Sequence, residues 1–122
     1  MGTALQKTIP ILIASGTALS NGALLGDHVF VGLQYSAAWT AAALTFQVSD
    51  DAGVSWHNLF DDGGNEVTIN PTTPAGLRIA ITPDPFGGVV LLRIRSGTSG
   101  SPVNQAADRN LIVITRKLFP IR

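Results

Sequence analysis

The chain is 122 residues long, carries 8 basic and 8 acidic side chains for a formal net charge of +0, and contains no cysteine. That length fits one domain able to bury about two thirds of its extended surface, and the lack of thiols excludes disulfides, cysteine nucleophiles and thiolate zinc sites. The scattered Lys and Arg residues form no basic stripe for nucleic acid, and no apolar run approaches the roughly 20 residues that a membrane-spanning helix needs.

From the N-terminus, Ile9 to Ala14 opens the first extended run, about residues 8–14, apolar but interrupted by Pro10. With Lys7 beside it and no small-residue cleavage pattern, it reads as part of the fold and not as a secretory signal. Val29, Val31, Leu33 and Tyr35 form the next series, a strand over 28–35 with one inward face. Ala37 to Ala43 has helical propensity, but Trp39, Thr40 and the immediate run into another strand favour a turn or a short 3-10 piece. Leu44, Phe46 and Val48 then alternate with Thr45, Gln47 and Ser49, which predicts a strand over 43–49. Asp50, Asp51 and Gly53 follow as a tight turn, since Asp accepts hydrogen bonds from nearby backbone N–H groups and Gly tolerates positive φ. A returning strand over 55–60 completes a hairpin.

Asp61 to Asn65 and Asn70 to Gly76 have turn composition and bound short strands at 65–69 and 76–82, the latter with Leu77, Ile79 and Ile81 inward. Pro83 to Gly88 reads as a loop. In 89–96, Val90, Leu92 and Ile94 alternate with Leu91, Arg93 and Arg95, so both arginines are expected to point outward. After the long loop 96–108, a strand over 109–117 closes the series.

Eight short strands without a long amphipathic helix predict an all-β fold, an antiparallel β-sandwich of jelly-roll type in a single domain spanning 1–122. The segments 9–14 and 111–114 are apolar on both faces, which marks them as central or as covered by a neighbouring chain. Residues 1–7 and 118–122 are expected to be contact arms, with Leu5, Ile9, Ile11, Leu118, Phe119 and Ile121 as the apolar contact residues. Hydrophobic residues make up 45% of the chain and charged residues 13%, a balance that suits a surface partly covered by another subunit.

Few residues suggest chemistry. His28 and His57 stand far apart and in no spacing that presents two metal ligands on one face. No Gly-x-Ser-x-Gly elbow precedes a helix, so a serine triad has no frame. Asp61, Asp62, Asn65 and Glu66 could offer oxygen ligands to calcium, but they lack the frame of an EF-hand loop and read as a turn. Asp50 and Asp51 are turn neighbours, not a pair of glycosidase carboxylates. The expectation is a non-enzymatic protein without metal or cofactor. Trp39 and Phe86, both in predicted loops, are the candidates for stacking on a glycan, whereas loop 96–108 contains no aromatic residue.

Ser49, Asp51, Gly53, Ser55 and Trp56 resemble the Asp-box, Ser-x-Asp-x-Gly-x-Thr/Ser-Trp, a folding device in which the Asp ties a hairpin and the aromatic packs beneath it. It occurs once, which does not fit a multi-bladed propeller. Taken with Ala37 to Gln47, Leu59 to Val67, Arg93 to Thr98 and Pro102 to Arg109, the chain resembles small structural proteins of tailed bacteriophages and prophages over roughly residues 15–117. The resemblance implies a virion component made in the bacterial cytoplasm, of capsid decoration, head-fibre or spike type. Its partners would be further copies of itself, as a homotrimer, and the major capsid protein or another virion protein. A weaker likeness to galactose-binding sandwich modules implies the alternative, a glycan-binding module on a fibre, spike or tail.

Overall fold

The computed structural model describes residues 6–35, 39–71 and 78–117. Eight strands follow one another: β1 (Gln6–Ile13), β2 (Ala23–Leu24), β3 (His28–Tyr35), β4 (Leu44–Ser49), β5 (His57–Asn58), β6 (Arg78–Ala80), β7 (Leu91–Ser96) and β8 (Arg109–Lys117). They form two four-stranded sheets, β1-β8-β3-β6 and β2-β7-β4-β5, with antiparallel neighbours throughout. The chain behaves as one long hairpin, β1 with β8, β2 with β7, β3 with β6 and β4 with β5 as its rungs, rolled so that successive rungs fall in alternate sheets. Within each sheet two rungs lie side by side, joined through β8 with β3 and β7 with β4. That is a jelly-roll sandwich.

Alternation explains the core. Phe30, Leu33 and Tyr35 of β3 and Leu111 and Val113 of β8 face Leu44 and Phe46 of β4 and Leu92 and Ile94 of β7, all buried. A bulge between Phe30 and Gly32 resets the phase of β3, so that Phe30 and Leu33 both point inward. The centre is aromatic: Phe30, Phe46 and Phe86 meet edge to face, with ring centroids 5.8, 4.9 and 5.1 Å apart, a geometry favoured by the ring quadrupoles.

Several expectations change. Phe86 belongs to this core at 1% exposure and is not a loop aromatic open to a glycan. It sits on a 3-10 turn, Asp84–Phe86, whose entry is set by Pro83 and Pro85, within a stretch expected to be irregular. Residues 39–43 of the segment expected to form a turn or a short 3-10 piece contain no 3-10 helix and only a bend at Ala41, and 36–38 lie outside the described residues. The returning strand of the hairpin shrinks to the two residues of β5, and 65–69 is no strand. There Glu66 and Ile69 make single bridges to different neighbours, Phe60 and Leu44, and between them the Thr68 hydroxyl donates to the Glu66 carbonyl. Of the strand expected at 76–82, β6 covers the middle, and 72–77 lie outside the described residues. Ala23–Leu24, too short to show a period, was not anticipated.

The first and last long strands also part company. β8 is central, between β1 and β3, whereas β1 is an edge strand. Ile11, proposed as a contact residue, is 3% exposed and packs in the core, and Ile9 is half-buried against it. Gln6 and Lys7 pair with Arg116 and Thr115, so the arm expected at 1–7 is strand from residue 6 onward. Leu5, Leu118, Phe119 and Ile121 lie outside the described residues.

The free side of β1 is closed locally. Pro10 has no N–H to offer, the Leu12 N–H donates to Asn21 Oδ1 at 2.8 Å, and the Leu12 carbonyl accepts from the Asn21 N–H at 3.3 Å. The remaining outer strands, β2, β5 and β6, span only 2, 2 and 3 residues.

Candidate functional site

The outer face of the second sheet gathers most of the polar chemistry. Register fixes it: Thr45 lies opposite Arg95, Gln47 opposite Arg93 and Ser49 opposite Leu91, all pointing away from the core. The hairpin after β4 then brings Trp56 and Asn58 across the same face. Its turn is held by one carboxylate. Asp51 accepts from the Ser55 N–H at 2.8 Å, the Ser55 hydroxyl at 2.5 Å and the Ser49 hydroxyl at 2.8 Å. Ser49 Oγ in turn accepts from the Gly53 N–H at 2.8 Å. Ala52 and Gly53 take positive φ of 60° and 90°, the second at no steric cost.

The Ser55 hydroxyl, the Ser55 N–H and the Ser49 hydroxyl hold the Asp51 carboxyl at about 2, below its ordinary 3.8. The folded form therefore binds fewer protons than the unfolded chain in that window, and the stabilisation is complete above about pH 4 and lost as pH falls towards 2. Asp51→Ala should lower the melting temperature at pH 7, and the gap between variant and wild type should narrow steadily between pH 4 and pH 2. Thermal melts at several pH values check this; a gap independent of pH would show that the charge is not what ties the turn.

Further along the face, Arg95 is buried although its strand phase points it outward. Its Nε donates to Thr45 Oγ1, Nη1 to Asn58 Oδ1 and Nη2 to Glu66 Oε2, each at 3.0 Å. The Thr45 hydroxyl in turn donates to the Gly97 carbonyl at 2.7 Å, and Glu66 also accepts from the Ser99 N–H at 3.2 Å. Four segments are thus joined through one guanidinium. Gly97 has φ +93°, and a Cβ there would lie 2.5 Å from the Ser101 carbonyl oxygen, so only glycine lets the loop after β7 close over this cluster.

Arg93, two residues before Arg95, is held differently. Its Nε donates to Gln47 Oε1 at 2.8 Å, and its guanidinium carbon lies 4.2 Å from the centre of the Trp56 ring. Burial, with a smaller effect from the Arg95 charge, pushes its pKa down from the usual arginine value. Among the described residues no carboxylate pairs with it. The edge of the Trp56 ring packs near Gly22 and Gly53.

A second buried network lies next to the Arg95 cluster, reached through Ser96, the residue after Arg95. Gln105, 1% exposed, donates from Nε2 to the Thr40 carbonyl at 3.0 Å and to Ser96 Oγ at 2.7 Å. Its Oε1 accepts from the Thr40 N–H and from Arg109 Nε, both at 2.9 Å. Both networks have donors matched to acceptors, which is the arrangement of a structural fastening.

The other sequence candidates are dispersed. His28 is on β3 in the first sheet and His57 on β5 in the second. Asp61 Oδ1 accepts from the Gly63 and Asn65 N–H groups at 2.9 Å while Glu66 turns to Arg95, so the oxygen-rich stretch is divided between two tasks. Trp39 is half-buried, donates its indole N–H to the Ala42 carbonyl at 3.2 Å and packs edge-on against Tyr35, with centroids 5.9 Å apart. A cleft of about 360 Å³ opens between the sheets beside β6, floored by Phe86 and walled by Val67, Ile69 and Ile81.

Sequence reasoning located the hairpin residues but missed the clusters around Arg95 and Gln105. Arg95 lies 29 residues from Glu66 and 50 from Thr45, and Gln105 lies 65 from Thr40. No local pattern marks such partners. No family model matches the chain, and no curated protein matches it significantly.

Proposed function

We propose that this chain is a non-enzymatic structural protein of a tailed-phage virion, a capsid decoration protein that binds the head lattice as an oligomer. The observation that supports it is the grouping of large apolar side chains at the hairpin end of the second sheet. Leu24 and Val90 are 61% and 50% exposed around a depression of about 270 Å³ that they share with Leu91, and Val54 on the turn is 85% exposed. Grouped apolar side chains of this kind mark contact surfaces. The jelly roll is used by capsid proteins and lectins alike, so the fold does not choose between them.

The test is reconstitution on heads lacking the protein, followed by imaging of particles with and without it. Bound protein in symmetric copies on the lattice is the expected result. Removing residues 1–5 or 118–122, which include Leu5, Leu118, Phe119 and Ile121, should weaken head binding or oligomerisation more than it lowers the melting temperature. A strict monomer that ignores heads but binds a soluble sugar, and loses it on Trp39→Ala, would replace this reading with the glycan-binding one.

A further inference from the structure

Building on the reading that the chain docks on a protein lattice, we propose that the outer face of the second sheet is the docking surface and that it recognises an extended acidic segment of the partner. The recognised pattern is an apolar side chain followed two residues later by a carboxylate. Arg93 is the charged half of the site. Its guanidinium is fixed from two sides, by Gln47 at 2.8 Å and by the Trp56 ring at 4.2 Å, so little side-chain freedom remains to be lost on binding. Its neighbour Arg95 already has Glu66, whereas Arg93 has no carboxylate among the described residues. Its Nη1 and Nη2 are the planar fork that a carboxylate fits.

The apolar half is Leu91, two positions earlier on the same strand face, with Leu24 and Val90 around the depression. Residues i and i+2 of a strand lie about 6.6–6.8 Å apart on one side. A partner running extended repeats its side chains at that same spacing, so one can fill the depression while the next but one reaches Arg93. Asp50 on the rim of the depression disfavours an acid there, so the apolar side chain takes the depression and, in a partner running parallel to β7, comes first.

The surroundings select a protein carboxylate over other ligands. Phosphate recognition draws on several cationic donors, and here one arginine is neutralised by its own glutamate. A sugar stacks on an open aromatic face, and Arg93 already occupies one face of the Trp56 ring, whose edge lies beside Gly22 and Gly53.

The experiment titrates ¹⁵N-labelled protein with the peptide acetyl-Val-Leu-Thr-Asp-Ser-amide and with its Asp-to-Asn counterpart, following the two tryptophan indole N–H signals by NMR. The expected result is a saturable shift of the Trp56 signal with Trp39 unmoved, and binding about tenfold weaker for the Asn peptide. Arg93→Gln should weaken the Asp peptide about as much, and Arg93→Lys, which keeps the charge and loses the fork, should fall between. Equal binding of both peptides, wild-type binding by a folded Arg93→Gln, or an equal Trp56 shift from inorganic phosphate would overturn the proposal. Peptide binding in a protein that ignores heads would sink the lattice reading alone; head binding that is indifferent to Arg93→Gln would sink this one alone.

Discussion

Glu66→Ala should destabilise the protein by about 3 kcal/mol, because it strands a buried guanidinium. Arg95 and Glu66 side chains are 8% and 13% exposed, and the Nη2 to Oε2 bond is the only ionic one that Arg95 makes among the described residues. Thr45 and Asn58 would remain as neutral acceptors, but neither supplies a charge. The Ser99 N–H would lose its acceptor at the same time. Urea unfolding measures the loss. Joint replacement by Arg95→Met and Glu66→Leu should cost much less than Glu66→Ala, since an apolar pair of similar volume leaves no charge to satisfy. A loss under about 1 kcal/mol for Glu66→Ala would mean that the pair behaves like an exposed one.

Phe86→Ala should cost about 3–5 kcal/mol, the range for deleting a buried aromatic ring. The ring is in edge contact with both Phe30 and Phe46, at centroid distances of 4.9 and 5.1 Å, and those two come from opposite sheets. Removing it leaves a hole between the layers that rigid strands fill poorly. Phe86→Leu should recover much of the loss, while Trp39→Ala, at a half-buried site on the margin, should cost less. Denaturant midpoints for the three variants give the order. A Phe86→Ala protein close to wild type would show that the 3-10 turn is not wedged between the sheets.

Where the polypeptide alternates without interruption, the sequence is a good guide to the fold. β4 keeps all but one residue of the alternating run at 43–49, and the strands at 28–35 and 109–117 keep their expected bounds despite the bulge in β3 and the two apolar faces of 111–114, because each runs along a neighbour for its whole length. The hairpin turn is legible for a different reason: Asp51, Gly53 and Ser55 interact within a few residues, so spacing alone carries the chemistry. Phe86 was misread as a loop aromatic because Pro83, Asp84, Pro85 and Gly87 give no period from which an inward direction follows. Arg95 shows another limit. Alternation places it on the outer face correctly, but it cannot foresee that Glu66 and Asn58 will roof that face. The candidate docking face was illegible in the same way, since Arg93, Gln47, Trp56 and Leu24 come from four separate segments and meet only through register.

The closure of β1 by Pro10 and Asn21 has a consequence for how copies meet. A long strand with free N–H and carbonyl groups on its outer side is a template that identical molecules extend without limit. Here Pro10 interrupts the donor row, Asn21 occupies both backbone groups of Leu12, and every other outer strand among the described residues is two or three residues long. Copies packed on a lattice as proposed above would find no long open strand edge among the described residues to extend into fibres. Contacts between copies would then run through side chains, and contacts of that kind close into rings of fixed number when the rotation between neighbours permits.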